Sequence, residues 1–418
     1  MDIHPKHSIA AVTICATNYL GKALALRQSY VAHHPESDFY ILLIAVRSNT
    51  FPSLPPDVQF LWADDLGIDK FSHCAMKFDV IELSTAIKAS ALSMLLSQYA
   101  KVLYIDPDIY FYGNLEPVLE TLESSSVVVT PHTLTPVMDG FTPSDMDFLR
   151  MGSFNLGFIG VRKCEEGFRF LDWWSQRCLQ YGYYEPQVGL AVDQKWVDLA
   201  PALFPGLKIL RDPGLNVAYW NLHERVISKR DERWFVNDEV PLRFFHYSSF
   251  VVTNPQAIAN RQSRFIAGSR PDLQELLDGY AESLKNNEFE RYSGQPYPFD
   301  YFECGIYVPP TLRRFYGALE SSFPEEDPFV CGSELQQFAI CHGLAGKEIQ
   351  AMPRRTLKDM GQGQYSRAIR IISFGLRFIL RLVGPNRYFL LMRYMAHISS
   401  IRNQGGVFPK LQPQNGTR

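Results

Sequence analysis

Over its first 250 residues the chain alternates short apolar, β-branched runs with longer mixed segments, and that rhythm limits the fold more than any single residue does. Ile9 to Ala16 reads as a strand, Leu20 to Ala32 as a helix, Phe39 to Val46 as a second strand and Val58 to Trp62 as a short third. Ile81 to Tyr99 reads as a helix that leads into a buried strand, Val102 to Ile105. Val127 to Thr130 and Phe154 to Val161 follow as strands, and Glu165 to Gln180 as a helix. Strands alternating with helices imply βαβ crossovers. The expected fold is therefore α/β and Rossmann-like: a mostly parallel sheet with helices on both faces, plus a helical C-terminal extension. Ligands of such sheets bind beyond the carboxyl ends of the strands.

With 418 residues and 46% hydrophobic content the chain can bury a large core and form two or three domains. Aromatic residues make up 13%, which argues against disorder. Turn residues become denser from about Arg211, and a loop rich in Pro, Tyr and Gly spans Ser293 to Pro298. The expected division is an α/β domain over 1–252, a mixed helical extension over 253–350 and a basic amphipathic tail over 351–418.

The tail stands out by charge. From Ala351 to Arg418 there are twelve Lys or Arg against one acid, Asp359, so a net charge of −3 leaves about −14 on the rest. A basic tail on an acidic body has its own anionic partner. In Ser366 to Val383, Arg367, Arg370, Arg377 and Arg381 recur at helical spacing among Ile, Phe and Leu. They interrupt the apolar run well short of the ~20 residues a membrane-spanning helix needs. Residues 365–418 fit a helix lying on an anionic membrane surface. They equally fit a C-terminal helix packed on the body with its arginines in solvent.

Seven cysteines, an odd number without CxxC spacing, read as reduced thiols. Met1 to His7 lacks the apolar run of a signal peptide. Together these point to a cytoplasmic protein, peripheral on the inner face of the membrane if the tail docks there. Nothing in the charge pattern calls for nucleic acid.

The chemistry concentrates in Lys101 to Leu115, KVLYIDPDIYFYGNL, where an apolar strand runs into Asp106-Pro107-Asp108. Residues i and i+2 of an extended chain point the same way, so both carboxylates can face the ligand edge. Two carboxylates that close repel unless a cation sits between them. Oxygen ligands of this kind suit Mn²⁺ or Mg²⁺, which complete their shells with substrate phosphate oxygens. Read alone, the same residues also fit an acidic turn capping the next element.

Around this segment the chain resembles the GT-A glycosyltransferases, in particular the bacterial branch related to the glycogenin and lipopolysaccharide galactosyltransferase family. The likeness covers roughly residues 8–250 and rests on the order of short motifs. TICATNY ends the first strand, Lys88 sits in a helix, and YIDPDI, FNLGFIGV, VDQKW, NVAYWNLHER and FFHYS follow. The resemblance implies a nucleotide-sugar donor, most simply a UDP-sugar, and a hydroxyl of a glycan or glycolipid as acceptor. It implies that Ala16, Thr17, Asn18 and Tyr19 contact the nucleoside, although Thr17 stands where the family often carries an acid. It puts Lys88 near the diphosphate and makes His246 the third metal ligand beside Asp106 and Asp108. The family often has a glycine soon after that histidine, whereas Ser248 and Ser249 follow here.

By the same resemblance Asn155 and Gly157 lie near the donor sugar, Asp193 holds its hydroxyls and Gln194 lies beside the anomeric carbon. The residues themselves leave Asp193 open as the N-cap of a short helix through Trp196 to Leu199. In NVAYWNLHER, Trp220 offers a ring face for a sugar or belongs to the core, and Arg225 suits an anionic group. The family favours retention of anomeric configuration. In an inverting enzyme a carboxylate deprotonates the acceptor, and Asp193 is the candidate base. A haloacid-dehalogenase-type phosphatase also uses DxD, but near its N-terminus. A nucleotide-sugar pyrophosphorylase has a Gly-rich N-terminal loop, and Gly21 is the sole glycine in the first 60 residues here. A membrane-docked carbohydrate-binding protein without catalysis is the remaining alternative.

Overall fold

The computed structural model describes residues 5–47, 54–323, 326–351 and 364–407, without the side chains of 364–366 and 405–407. Its centre is a seven-stranded sheet in the order β10-β6-β7-β4-β1-β2-β3. The strands are β1 (Ile9–Ala16), β2 (Asp38–Ile44), β3 (Gln59–Trp62), β4 (Lys101–Ile105), β6 (Val127–Pro131), β7 (Phe154–Arg162) and β10 (Leu207–Ile209). Between them in the chain lie the short β5 (Ile109–Phe111), β8 (Tyr184–Glu185) and β9 (Leu190–Ala191). Every residue of β2 and seven of the eight in β1 are buried, as expected of strands covered on both faces.

The mostly parallel α/β expectation holds, with one exception. β7 pairs antiparallel to both β4 and β6, whereas the other pairings are parallel. Its direction decides the site. β1 and β4 run out at the same sheet edge, in the register Val12↔Tyr104. The reversed β7 brings its first residues, Phe154 to Gly157, to that edge.

The helices covering the sheet include α1 (Leu20–His33), α3 (Val80–Ala86), α4 (Lys88–Leu96), α5 (Glu116–Ser124) and α7 (Glu165–Tyr181); α2 is Phe71–Lys77 and α6 is Asp145–Met151. Leu20, Ala23, Leu26 and Tyr30 of α1 join Ile41, Leu103, Ile105 and Phe158 in the main core cluster. The single helix expected over Ile81 to Tyr99 is broken into α3 and α4. Ser84 and Thr85 turn their hydroxyls back onto the carbonyls of Val80 and Ile81, at 2.5 and 3.0 Å, which competes with the helical ladder. The break leaves Lys88 at the start of α4.

By compactness the chain divides into a unit of 1–71 with 80–298 and a unit of 72–79 with 299–418. The first unit also holds β11 (Ile227–Arg230), β12 (Arg233–Val236) and β13 (Val240–Pro241) as a small antiparallel sheet, and β14 (Phe244–His246) paired with β5. Leu273, Leu276, Leu277 and Tyr280 pack with Phe245 and Tyr247 in a second cluster of this unit.

The second unit is pinned by Arg313, 1% exposed. Its guanidinium donates to the carbonyls of Ala75, Met76, Phe78 and Phe299 at 2.7, 3.2, 2.8 and 2.5 Å, and to Asp300 at 3.0 Å. Arg313→Met strands those acceptors and is expected to lower the stability of this unit by about 3–5 kcal/mol. Urea unfolding followed by limited proteolysis reads this, and a loss below about 1 kcal/mol contradicts it. The helix expected over Ser366 to Val383 forms as Gln364–Val383, and Pro385–Ile398 follows.

Candidate metal and donor site

The Asp-Pro-Asp segment is held by backbone bonds on three sides. The Asp106 N–H donates to the Gly157 carbonyl at 2.7 Å, fixing it against the start of β7. Pro107 sits in a turn closed by the Ile109 N–H on the Asp106 carbonyl at 3.1 Å. β5 then pairs antiparallel with β14 in a register that sets His246 opposite Ile109. The Tyr247 N–H donates to the Asp108 carbonyl at 2.8 Å and locks that register. The two carboxylates therefore converge through a turn, not through the side alternation of a strand.

Together these constraints bring Asp106, Asp108 and His246 to one point. One ligand atom from each lies within 4.8 Å of the others. His246 Nε2 is 3.1 Å from Asp108 Oδ1 and 3.7 Å from Asp106 Oδ2. On the other side of the ring, Nδ1 faces Asn216 Oδ1 at 3.4 Å, while Asn216 Nδ2 donates to Thr130. Nε2 therefore faces two carboxylates, and an ion bound there would be held by the imidazole together with both of them. Burial acts to raise the Asp108 carboxyl, but His246 and then Lys22 hold it well below the usual carboxylate range. The donor set, two carboxylates and one imidazole, fits Mn²⁺ or Mg²⁺. Gly157 keeps the space open. A Cβ there would lie 2.5 Å from His246 Cε1 and 2.8 Å from Asp106 Oδ2.

Lys88 is buried behind the carboxylates. Its ammonium donates to the Leu156 carbonyl at 2.9 Å and pairs with Asp193 at 3.0 Å and Asp106 at 3.4 Å. Burial alone would lower its pKa, but Asp106 and Asp193 outweigh that and raise it. Asp193 is itself buried, which lifts its carboxyl, against the pull of Lys88. Asp193 stands in the N-cap position of α8 (Gln194–Val197), yet its side chain caps nothing and goes to Lys88. Gln194 donates to the Met151 carbonyl at 2.8 Å. Asn155 accepts from the Gly157 N–H at 3.2 Å and directs Nδ2 at His132 Nε2, 3.3 Å away.

At the end of β1, Ala16 and Thr17 are buried, Asn18 is half-buried and Tyr19 is 42% exposed. Thr17 to Tyr19 form one 3₁₀ turn, and neither that turn nor α1 has a side-chain cap. Of the two roles open for Trp220, the structure places it in the core. Trp220 is 4% exposed and stands edge-on to His246 and His132, so it is core packing behind the site. Arg225 is buried and spends Nη1 on the carbonyls of Pro213 and Leu215.

Three residues escape the sequence reading, and a fourth, Asn216, enters it only as part of NVAYWNLHER. Tyr104 donates its hydroxyl to Asp106 Oδ1 at 2.7 Å; as the residue two before Asp106 on a strand, it was legible by alternation. Asn216 orients His246, and a left-handed backbone at φ 54° places it. His132 meets Asn155, and Lys22 lies over the Tyr19 ring at 4.5 Å.

No protein-family model matches the chain. The uncharacterized protein YfnF of Bacillus subtilis (strain 168) is 30% identical over 186 residues, 44% of this chain and 59% of YfnF. The uncharacterized protein YfnD of the same strain is 22% identical over 247 residues, 57% of this chain and 77% of YfnD. The matched region thus spans less than two thirds of YfnF. Among solved structures, the galactosyltransferase LgtC, with donor and acceptor sugar analogues, aligns with 69% of this chain and 97% of its own at 15% identity and a TM-score of 0.40. The bifunctional glycosyltransferase WbbM aligns with 70% of this chain and 52% of its own at 14% identity and a TM-score of 0.41. The glycosyltransferase GlyE of Streptococcus pneumoniae TIGR4 aligns with 71% of this chain and 67% of its own at 15% identity and a TM-score of 0.39.

Proposed function

We propose that the chain is a GT-A glycosyltransferase that moves a hexose from a nucleotide-sugar, a UDP-sugar, to a hydroxyl of a glycan or glycolipid acceptor, with retention of configuration. The carrying observation is the convergence of Asp106, Asp108 and His246 around the space kept by Gly157, at the sheet edge where β1 and β4 end. The motif order supports the same reading. Asp106, Asp108 and His246 would hold Mn²⁺ or Mg²⁺. When bound, the ion supplies charge stabilisation for the leaving nucleoside diphosphate. Tyr104 and Lys88 fix Asp106, and Asn216 fixes the imidazole, so little reorganisation is left for the reaction. Asn155, Asp193 and Gln194 orient the donor sugar, and Ala16 to Tyr19 bind the nucleoside.

Hydrolysis and transfer with a panel of UDP- and GDP-hexoses, with and without Mn²⁺, test this reading. Metal-dependent release of one nucleoside diphosphate is expected. A donor that binds but is neither hydrolysed nor transferred leaves a carbohydrate-binding protein without catalysis.

We also propose an anionic membrane surface on the cytoplasmic side as a partner of residues 365–418. No helix among the described residues is long and apolar enough to cross a membrane. The helix Gln364–Val383 instead exposes Ile371, Phe374, Phe378 and Leu382 among its arginines, Phe374 at 74%. Apolar side chains in a basic, acid-free stretch suit acyl chains beneath anionic headgroups. The full chain is expected to sediment with vesicles containing phosphatidylglycerol and to be released by about 0.5 M salt, where screening is strong. A form lacking residues 365–418 is expected to stay in the supernatant. Equal partitioning of the two contradicts the proposal.

A further inference from the structure

The proposed donor carries a diphosphate, and a metal alone leaves part of that charge unmet. Lys88 is the cation that the family resemblance puts nearby. An ammonium has three donors. Those of Lys88 already face the Leu156 carbonyl, Asp106 and Asp193. Its charge is met by two carboxylates and one hydrogen bond goes to the Leu156 carbonyl, so its role is to steady the carboxylates.

Lys22 is in the opposite condition. It lies in the first turn of α1, 6% exposed. Its ammonium stacks on Tyr19 at 4.5 Å, and among the described residues no carboxylate pairs with it. The side chain is largely buried and the ammonium forms no ion pair among the described residues, so an anionic ligand would supply its counter-charge. The surroundings point to an anion. The first turn of α1 has no acidic residue and no side-chain cap, so its amide dipoles add to the positive field. The turn follows directly from the end of β1, at the sheet edge that carries Asp106 and Asp108.

We propose that Lys22 is the protein cation that holds the diphosphate of the donor, on the α1 side of the metal triad. The assignment rests on the glycosyltransferase reading and sharpens it: Lys88 positions the carboxylates, and Lys22 binds the phosphates. Stacked on Tyr19, Lys22 would also tie the nucleoside contact to the diphosphate contact.

Calorimetric titration of the full-length protein with UDP and with UMP, each in the presence of Mn²⁺, tests it. A charge-assisted hydrogen bond is worth about one to two decades in affinity. Lys22→Met is therefore expected to weaken UDP binding about 10- to 100-fold and UMP binding by less than about threefold. Lys22→Arg, which keeps the charge, should stay within about fivefold of wild type for UDP. A Lys22→Met protein that binds UDP as wild type does overturns the assignment and leaves the donor reading standing. Equal losses for UDP and UMP overturn it too, because they indicate a structural role. Wild-type protein that binds neither nucleotide overturns the donor reading together with this assignment.

Discussion

Asp108→Asn is expected to cut metal-dependent donor turnover by at least about a thousandfold, which corresponds to about 4 kcal/mol of transition-state stabilisation. The carboxamide is isosteric, so the turn closed by the Ile109 N–H and the Tyr247 bond to the Asp108 carbonyl both survive. What disappears is a negative oxygen 3.1 Å from His246 Nε2. Asp106→Asn keeps an acceptor for Tyr104 but removes a charge facing Lys88, so it should also leave Lys88 under-compensated and cost some stability. His246→Ala should raise the Mn²⁺ concentration needed for half-maximal activity, because two carboxylates remain. Steady-state kinetics against Mn²⁺ distinguish these variants. A variant that retains full metal-dependent activity removes its residue from the site.

Gly157→Ala is expected to be nearly as damaging, although it touches no charge. The added methyl would sit 2.5 Å from His246 Cε1 and 2.8 Å from both Asn155 Oδ1 and Asp106 Oδ2. Two of those three neighbours are proposed metal ligands. The strand cannot retreat, because Phe158 is in register with Ile105 and the Gly157 carbonyl holds the Asp106 N–H. The ligands must move instead, and metal affinity should fall by about a hundredfold or more, with an overpacking cost of about 1–3 kcal/mol. Gly160→Ala in the same strand provides the control. Its methyl would meet Leu122 and Leu103 at 3.0 and 3.1 Å, both flexible side-chain ends. That variant should lose stability while binding Mn²⁺ as wild type does. Equal metal affinity in Gly157→Ala and wild type would contradict the account of this space.

Long, uninterrupted apolar runs made the central strands legible. β1, β4 and β7 sit close to where their composition puts them, because strands buried on both faces carry no polar alternation to confuse their limits. The direction of β7 was not legible, since a doubly buried strand reads the same either way. Yet that direction is what delivers Asn155 and Gly157 to Asp106. β5 and β14 are three residues each, too short for a periodic signal, and their pairing is what carries His246 to the carboxylates. The motif order anticipated the meeting without its cause. Tyr104 was readable from strand alternation. Lys22 was not, because one lysine in an apolar helix looks solvated until its burial is known. Trp220 shows the converse, an aromatic that a sugar-binding reading made attractive and packing made structural.

The central claim is that three side chains from β4's end, the following turn and β14 share one divalent ion. Titration of Mn²⁺ into the protein in the presence of UDP, followed by loss of the free-ion electron paramagnetic resonance signal, tests it most directly. One tightly bound ion per chain is predicted for wild type, with that site lost in Asp106→Asn and Asp108→Asn and weakened in His246→Ala. Wild-type protein that binds no ion, or variants that bind it as tightly as wild type, would contradict the account.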